Sequence, residues 1–487
     1  MYVMSDPAAK SRSANVIPVV DTMPADLLTP LSVYLKLSAG SQNSFLLESV
    51  EGGKTLARYS FIGADPDFVL RNAGEISETS TGSGICTEST SFFDYLNRHF
   101  DERTAAADPD LPAFIGGAIG YLGFDCCEWF EPKLANGKEQ PDAALMFFRS
   151  TVAFDHAKQL VKIITLVFSD EDKGGRQAVE TAKQKNLAIR KTLESEGTVV
   201  PASANSHLSG APRSNWARTD FESAVGEIKE LINAGECYQA VLSQCFTRPT
   251  NANPVAIYRA LRSLNPSPYM FLLDLGDKQI IGASPEMLVR CEGTNLEYRP
   301  IAGTRKRGRD ADEDDALARE MAADEKEVAE HRMLVDLGRN DLGRVADFGS
   351  VKVDKLMAVE KYSHVQHLVS SLSAELRPEF NRFDALASCF PAGTVSGAPK
   401  VRAIEIIRGL EPNPRGIYAG AVGYFDYAGN MDTCIAIRTL VLQDGIAKIQ
   451  AGGGIVADSV PALEFEESVN KARVLLKAVD IAEGKAV

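Results

Sequence analysis

The chain has 487 residues, 45% hydrophobic and 24% charged, the balance of a soluble globular protein of two to four ordinary domains or one large interlocked body. A formal net charge of −14 and a pI near 5.1 exclude long-range attraction to nucleic acid or to an anionic membrane. An anionic ligand would therefore need a locally placed Arg, a helix N-terminus or a metal.

The opening stretch "MYVMSDPAAKSRSANVIPVV" lacks the basic-then-apolar order of a secretion signal. No run approaches the ~20 apolar residues needed to cross a bilayer. Cys86, Cys126, Cys127, Cys237, Cys245, Cys291, Cys389 and Cys434 are scattered, without a C-x-x-C pair for zinc or redox chemistry. A cytoplasmic protein with reduced thiols is expected. "LMFFRSTVAFDH" and "LVKIITLVFSD" read as paired strands, and "GGRQAVETAKQKNLAIRKTLES" as a helix. From Glu194 to Asn215 the chain is rich in Ser, Ala, Gly and Pro without a period, which predicts a linker or long exposed loop. It divides an N-terminal domain, 1–193, from a larger domain, 216–487. "FESAVGEIKELINAGECYQAVLSQ" begins as an amphipathic helix and passes into a strand near Tyr238. Acidic "RDADEDDALAREMAADEKE" predicts a solvated helix lead-in. Hairpin-like strand pairs mixed with helices argue α+β rather than a doubly wound sheet.

Several stretches carry candidate chemistry. In "DEKEVAEHRMLVD", Glu327 and Glu330 stand three apart, which on a helix puts both carboxylates on one face. In "VPALEFEESVNKA", Glu464 and Glu467 repeat that spacing. Each pair alone is most often two solvated surface acids; together they suit a hard cation such as Mg²⁺, which takes few protein carboxylates and keeps waters. His331 follows Glu330 directly and so faces elsewhere. "PAGTVSGAPK" has the wrong spacing for a phosphate loop. Gly452, Gly453 and Gly454 make either a tight bend or a place where backbone N–H groups approach an anion. "DTCIAIRTLVL" reads as one strand in which Arg438 needs a carboxylate, internal or on a ligand. Glu286, behind the Ser-Pro of "IGASPEMLVR", is either an edge-strand surface acid or a partly buried proton donor. His367 alone reads as a satisfied core histidine.

"LLES", "NPSPYMF", "GASPEM", "PIAGT", "EHRMLVDLGRND", "HLVS", "PAGTVSGAPK", "IAIRT" and "GGGIVADS" with its two acids fall in an order that resembles the chorismate-using enzymes. Among these, the chain is most similar to the anthranilate synthase component I family, from about Thr29 to about Lys477. The resemblance implies two orthogonally packed, mainly antiparallel β-sheets flanked by helices, with N- and C-terminal portions interlocked. It implies Mg²⁺-dependent conversion of chorismate and ammonia to anthranilate and pyruvate, the first step of tryptophan biosynthesis. It assigns Glu330 and Glu467 to the metal, with Glu327 and Glu464 beside them. Gly303, Thr304, Thr394, Tyr418, Arg438, Gly452, Gly453, Gly454 and Lys471 fall to the substrate. Glu286 becomes the general acid, and His367 serves pyruvate elimination. Isochorismate and salicylate synthases resemble one another in placing a Lys where Gln239 stands here, and a neutral amide cannot deprotonate water. Aminodeoxychorismate synthases typically carry a nucleophilic Lys at the position of Ala302; that activity and a non-catalytic tryptophan sensor are the alternatives. Ser49, Pro268, Tyr269 and Met270 match the family's tryptophan-binding elements, implying feedback inhibition. The resemblance further implies a separate glutamine amidotransferase subunit and a hetero-oligomer with two copies of each. Two departures stand out: Gly338 replaces the usual Ala, and "VEGGKTLARYSFIG" varies in its basic residues.

Overall fold

The computed structural model describes residues 14–485 apart from 50–57, 74–75, 82–83, 136–140, 172–174, 198–209 and 363–364. Among the described residues, strands gather into two 12-stranded sheets with antiparallel ladders, flanked by helices. Ser44–Glu48 pairs on one side with Tyr59–Ala64 and on the other with Tyr269–Asp274. In the second sheet Gly117–Leu122 lies between Ala143–Phe148 and Ala421–Asp426. Residues from both sides of the 194–215 stretch thus build both sheets. Its interior, 198–209, lies outside the described residues. Its end is no loop: Arg213–Ser214 pairs with Gln239–Pro249, fixed by the Ser214 hydroxyl donating to Gln244 Oε1 at 2.7 Å.

Period-two alternation explains how the layers stack. In Tyr269–Asp274, Phe271 and Leu273 join Phe45, Phe61, Tyr121, Phe148 and Tyr424 in a core between the sheets. Met270 and Leu272 point the other way, where Val255, Tyr258 and Leu475 from two helices cover the sheet. Both faces are buried, so these strands read as unbroken apolar runs. No helix of the described residues is long and apolar enough to cross a membrane. All eight cysteines are free.

Three expectations change in detail. "DTCIAIRTLVL" is two strands in different sheets, Met431–Ile435 and Thr439–Gln443, because the chain crosses between layers at Ala436–Arg438. The glycines 452–454 are neither bend nor loop; they lie inside the strand Ile446–Ile455, opposite Ser243, Leu242 and Val241. The acidic lead-in forms two helices, Ala311–Ala323 and Glu325–Gly343, capped by the Asp310 and Asp324 side chains. Most of the first is exposed, but Asp314 is buried against Arg307 at 2.7 Å. Gly338 has a steric reason: an added Cβ would stand 2.5 Å from Cε1 of Tyr298, whose ring already fills the space.

Candidate active site and a second cavity

Asp324 accepts from the N–H groups of Lys326 and Glu327, which starts the Glu325–Gly343 helix so that Glu327 and Glu330 share a face. Pro461 begins the Pro461–Ala482 helix, and Glu464 and Glu467 follow on one face of it. Both acidic faces line a single cavity of about 560 Å³. The same cavity is lined by Gln239, Glu286, Gly303, Thr304, His367, Thr394, Tyr418, Arg438, Gly452, Gly453, Gly454 and Lys471. The residues expected to bear on metal, substrate and chemistry, spread from 239 to 471, meet there.

The glycines open its floor. A Cβ on Gly453 would stand 3.1 Å from Glu464 Oε2 and 3.4 Å from Glu467 Oε1, and one on Gly454 would strike the Gln239 amide. Gly303 does different work. Its φ of 61° lies in the left-handed region, where the strand Ile301–Lys306 slips register against Val365–Glu375. Ile301, Gly303 and Thr304 consequently line the cavity, whereas Ala302 does not.

Charge in the cavity is unevenly met. Burial raises the Glu330 carboxyl above its usual range, opposed by an amide hydrogen bond from Gln239 at 3.1 Å and reinforced by Glu327 and Glu467. Burial likewise raises Glu464, with Glu467 adding to it. Glu327 is drawn aside by Arg305 at 3.0 Å, and Glu467 by Lys471 at 2.6 Å. No three acids converge tightly enough to close a metal site by themselves among the described residues. That arrangement fits a hard divalent cation completing its shell with water and an anionic ligand. Four carboxylates around one opening, with a glycine strand too bare to crowd them, leave both the charge and the room for it.

Arg438, with φ 50°, turns its guanidinium inward and donates only to the Lys471 carbonyl at 3.3 Å. The internal salt bridge is not made: no carboxylate pairs with Arg438 among the described residues. Burial lowers its pKa, which the nearby Tyr418 and Glu467 offset in part. Glu286 is 6% exposed, not an edge-strand surface acid. Burial pushes its carboxyl up to about 8, so it is protonated at neutral pH. The Thr394 hydroxyl lies within electrostatic reach of it without a hydrogen bond of good geometry. His367 Nδ1 lies 3.1 Å from the Gly303 carbonyl and 3.1 Å from the Thr304 hydroxyl. A carbonyl can only accept, so Nδ1 carries the proton and Nε2 keeps a lone pair. Burial lowers the pKa of this imidazole, favouring the neutral base.

A second cavity of about 310 Å³ is lined by Ser49, Pro268, Tyr269 and Met270. Sequence reasoning missed its polar members. Arg290 pairs with Asp432 at 2.7 Å, and the Tyr269 hydroxyl donates to Asp432 at 3.0 Å. Glu48 accepts from the Tyr258 hydroxyl and faces Arg262 at 3.2 Å. Their signal was available: charges at Arg290 and Asp432 inside apolar strands need partners. Of the varied segment at 50–63, residues 50–57 lie outside the described residues.

The sequence pattern of the chorismate binding enzymes matches residues 42–477. The chain belongs to the chorismate-binding enzyme family. Among this family's members, probable anthranilate synthase component 1 of Schizosaccharomyces pombe is 46% identical over 480 residues, covering 98% of this chain and 95% of that one. Anthranilate synthase component 1 of Pseudomonas putida is 46% identical over 484 residues, covering 96% of each. The crystal structure of anthranilate synthase component I from Streptococcus pneumoniae superposes with a TM-score of 0.76 at 35% identity, covering 93% of this chain and 98% of that one. The menaquinone-specific isochorismate synthase of Escherichia coli, at 19% identity and a TM-score of 0.72 over 97% of each chain, shares the fold.

Proposed function

We propose that this chain is the chorismate-converting component I of an anthranilate synthase, forming anthranilate and pyruvate from chorismate and ammonia at the start of tryptophan biosynthesis. The carrying observation is a single cavity joining two acidic helix faces, an Arg without a carboxylate partner among the described residues and a buried Glu286. Arg438 meets the enolpyruvyl carboxylate, taking the charge partner it lacks within the chain. Gly303, Thr304, Thr394, Tyr418, Lys471 and the glycines 452–454 surround and orient the ring. Glu330 and Glu467, with Glu327 and Glu464 beside them, would hold Mg²⁺, which would supply charge neutralisation for the anionic substrate. Glu286 gives its proton to the departing 4-hydroxyl as ammonia adds at ring carbon 2. His367 Nε2 accepts a proton as pyruvate is eliminated. Gln239, an amide fastened to Glu330, offers no base to water.

Purified chain with chorismate, Mg²⁺ and an ammonium salt is expected to yield fluorescent anthranilate. Glutamine in place of ammonium should yield none until an amidotransferase subunit is added, in an assembly with two copies of each. A 4-aminobenzoate precursor or salicylate as product would refute the reading.

The second cavity favours tryptophan as an inhibitor. It offers an aromatic-lined slot with Arg290, Asp432 and Glu48 for the charged ends of an amino acid. Ser49→Tyr would fill that slot and is expected to raise the tryptophan Kd about tenfold or more by calorimetry, with uninhibited turnover retained. Unchanged affinity would place the inhibitor elsewhere.

A further inference from the structure

Ser284 lies between residues of the two cavities: Tyr269, opposite it in the sheet, lines the second, and Pro285, next in the chain, lines the larger. The crossing from Cys434 to Arg438 lines the second cavity at its start and the larger cavity at its end. Ser284, fully buried, closes the strand Gln279–Ser284 directly opposite Tyr269. Its hydroxyl donates to the Ile435 carbonyl at 2.7 Å and accepts from the Glu286 N–H at 3.3 Å. The Ile435 N–H returns a bond to the Glu286 carbonyl at 3.1 Å, and the Ala283 N–H holds the Arg438 carbonyl at 3.1 Å. Cys434, buried where it lines the second cavity, interacts through its thiol with the same Ser284 side chain. Pro285 lines the larger cavity while sharing a small cleft with Pro268 and Tyr269.

We propose that Ser284 is a positioning residue: its hydroxyl locks the turn bearing Glu286 onto the Ile435 carbonyl, so that the packing of Tyr269 and Cys434 around an occupant of the second cavity sets where the Glu286 carboxyl points. This rests on Glu286 as the acid and on tryptophan as that occupant. Removing the buried hydroxyl leaves the Ile435 carbonyl with the Ile437 N–H at 2.8 Å alone, takes the acceptor from the Glu286 N–H, and so frees the turn to relax. An occupant that shifts Tyr269 or Cys434 by a fraction of an ångström acts on the same bond. Differential affinity for the two positions of the turn would be the coupling.

The test uses the chain with ammonium as the nitrogen source. Ser284→Ala is expected to lower kcat about tenfold while chorismate KM stays within about twofold. The fall in rate at high pH should move to lower pH, because a looser turn lets water reach the carboxyl. Tryptophan should bind with unchanged affinity by calorimetry yet inhibit only partly at saturation. Ser284→Thr, which keeps the hydroxyl, should recover the rate, the pH profile and full inhibition. A Ser284→Ala enzyme with ordinary kcat, pH profile and inhibition would overturn the proposal, as would a Thr variant as impaired as the Ala variant at equal melting temperature. If the Ala variant does not fold, Ser284→Cys, similar in size and a weak donor, is judged by the same criteria. Full turnover by Glu286→Gln, or wild-type protein that does not bind tryptophan, would instead sink the underlying reading and the proposal with it.

Discussion

Glu286→Gln is expected to lower kcat roughly a thousandfold while leaving chorismate affinity nearly intact, because general acid catalysis typically contributes ~10²–10⁴-fold. Gln keeps the shape and hydrogen-bonding capacity of the side chain and removes only the transferable proton. The sign of the pH dependence follows from burial. The ordinary Glu value of 4.5 is pushed up to about 8, so the donor form prevails at neutral pH and is lost as pH rises through about 8. Wild-type kcat should decline there, and the residual activity of the Gln variant should not. Stability carries the same signature. The folded state holds this proton more tightly than the unfolded state does. Its contribution is thus fully present below 4.5 and is lost as pH rises toward about 8. The melting temperature of the Gln variant should slope less across that window. Equal slopes, or unaltered turnover, would remove Glu286 from the role.

Glu330→Gln is expected to move stability and activity in opposite directions. Burial and the neighbouring Glu327 and Glu467 all disfavour the ionised Glu330, so a neutral isostere relieves the metal-free protein and should raise its melting temperature. The same change removes a charge from the proposed cation site. Mg²⁺ affinity should fall by at least about a hundredfold, beyond the usual cost of losing an outer-shell partner. Mg²⁺ added to wild type should raise the melting temperature by mass action, and added to the variant should do little. A variant that still answers Mg²⁺ like wild type would move the metal away from Glu330.

The acid pairs were legible because an i, i+3 repeat has one geometric meaning on a helix, and both helices formed where the pattern put them. The motif order carried the fold class for a similar reason, most motifs sitting at a strand end or helix start, with "EHRMLVDLGRND" inside the helix Glu325–Gly343 and "HLVS" inside the strand Val365–Glu375. What sequence could not supply was the crossing at Ala436–Arg438. An apolar run reads as one strand whether or not it changes sheets, and only pairing partners distant in sequence decide that. The glycines 452–454 misled in the same way. Glycine signals freedom to bend, yet here it serves a straight strand whose neighbours, Glu464 and Gln239, need the vacant volume. Ala302 was judged by chemistry alone. The register slip at Gly303, invisible without the partner strand, decides which side chains reach the cavity.

The interlocking of the sheets bears on how the molecule is made. A ribosome delivers Ser44–Glu48 and Gly117–Leu122 early, whereas their partners Tyr269–Asp274 and Ala421–Asp426 emerge much later. Until then each early strand presents an open hydrogen-bonding edge backed by large aromatics, the kind of surface that aggregates. Native pairing of both sheets is therefore completed only when the last third of the chain is available, and the early strands carry the aggregation risk until then.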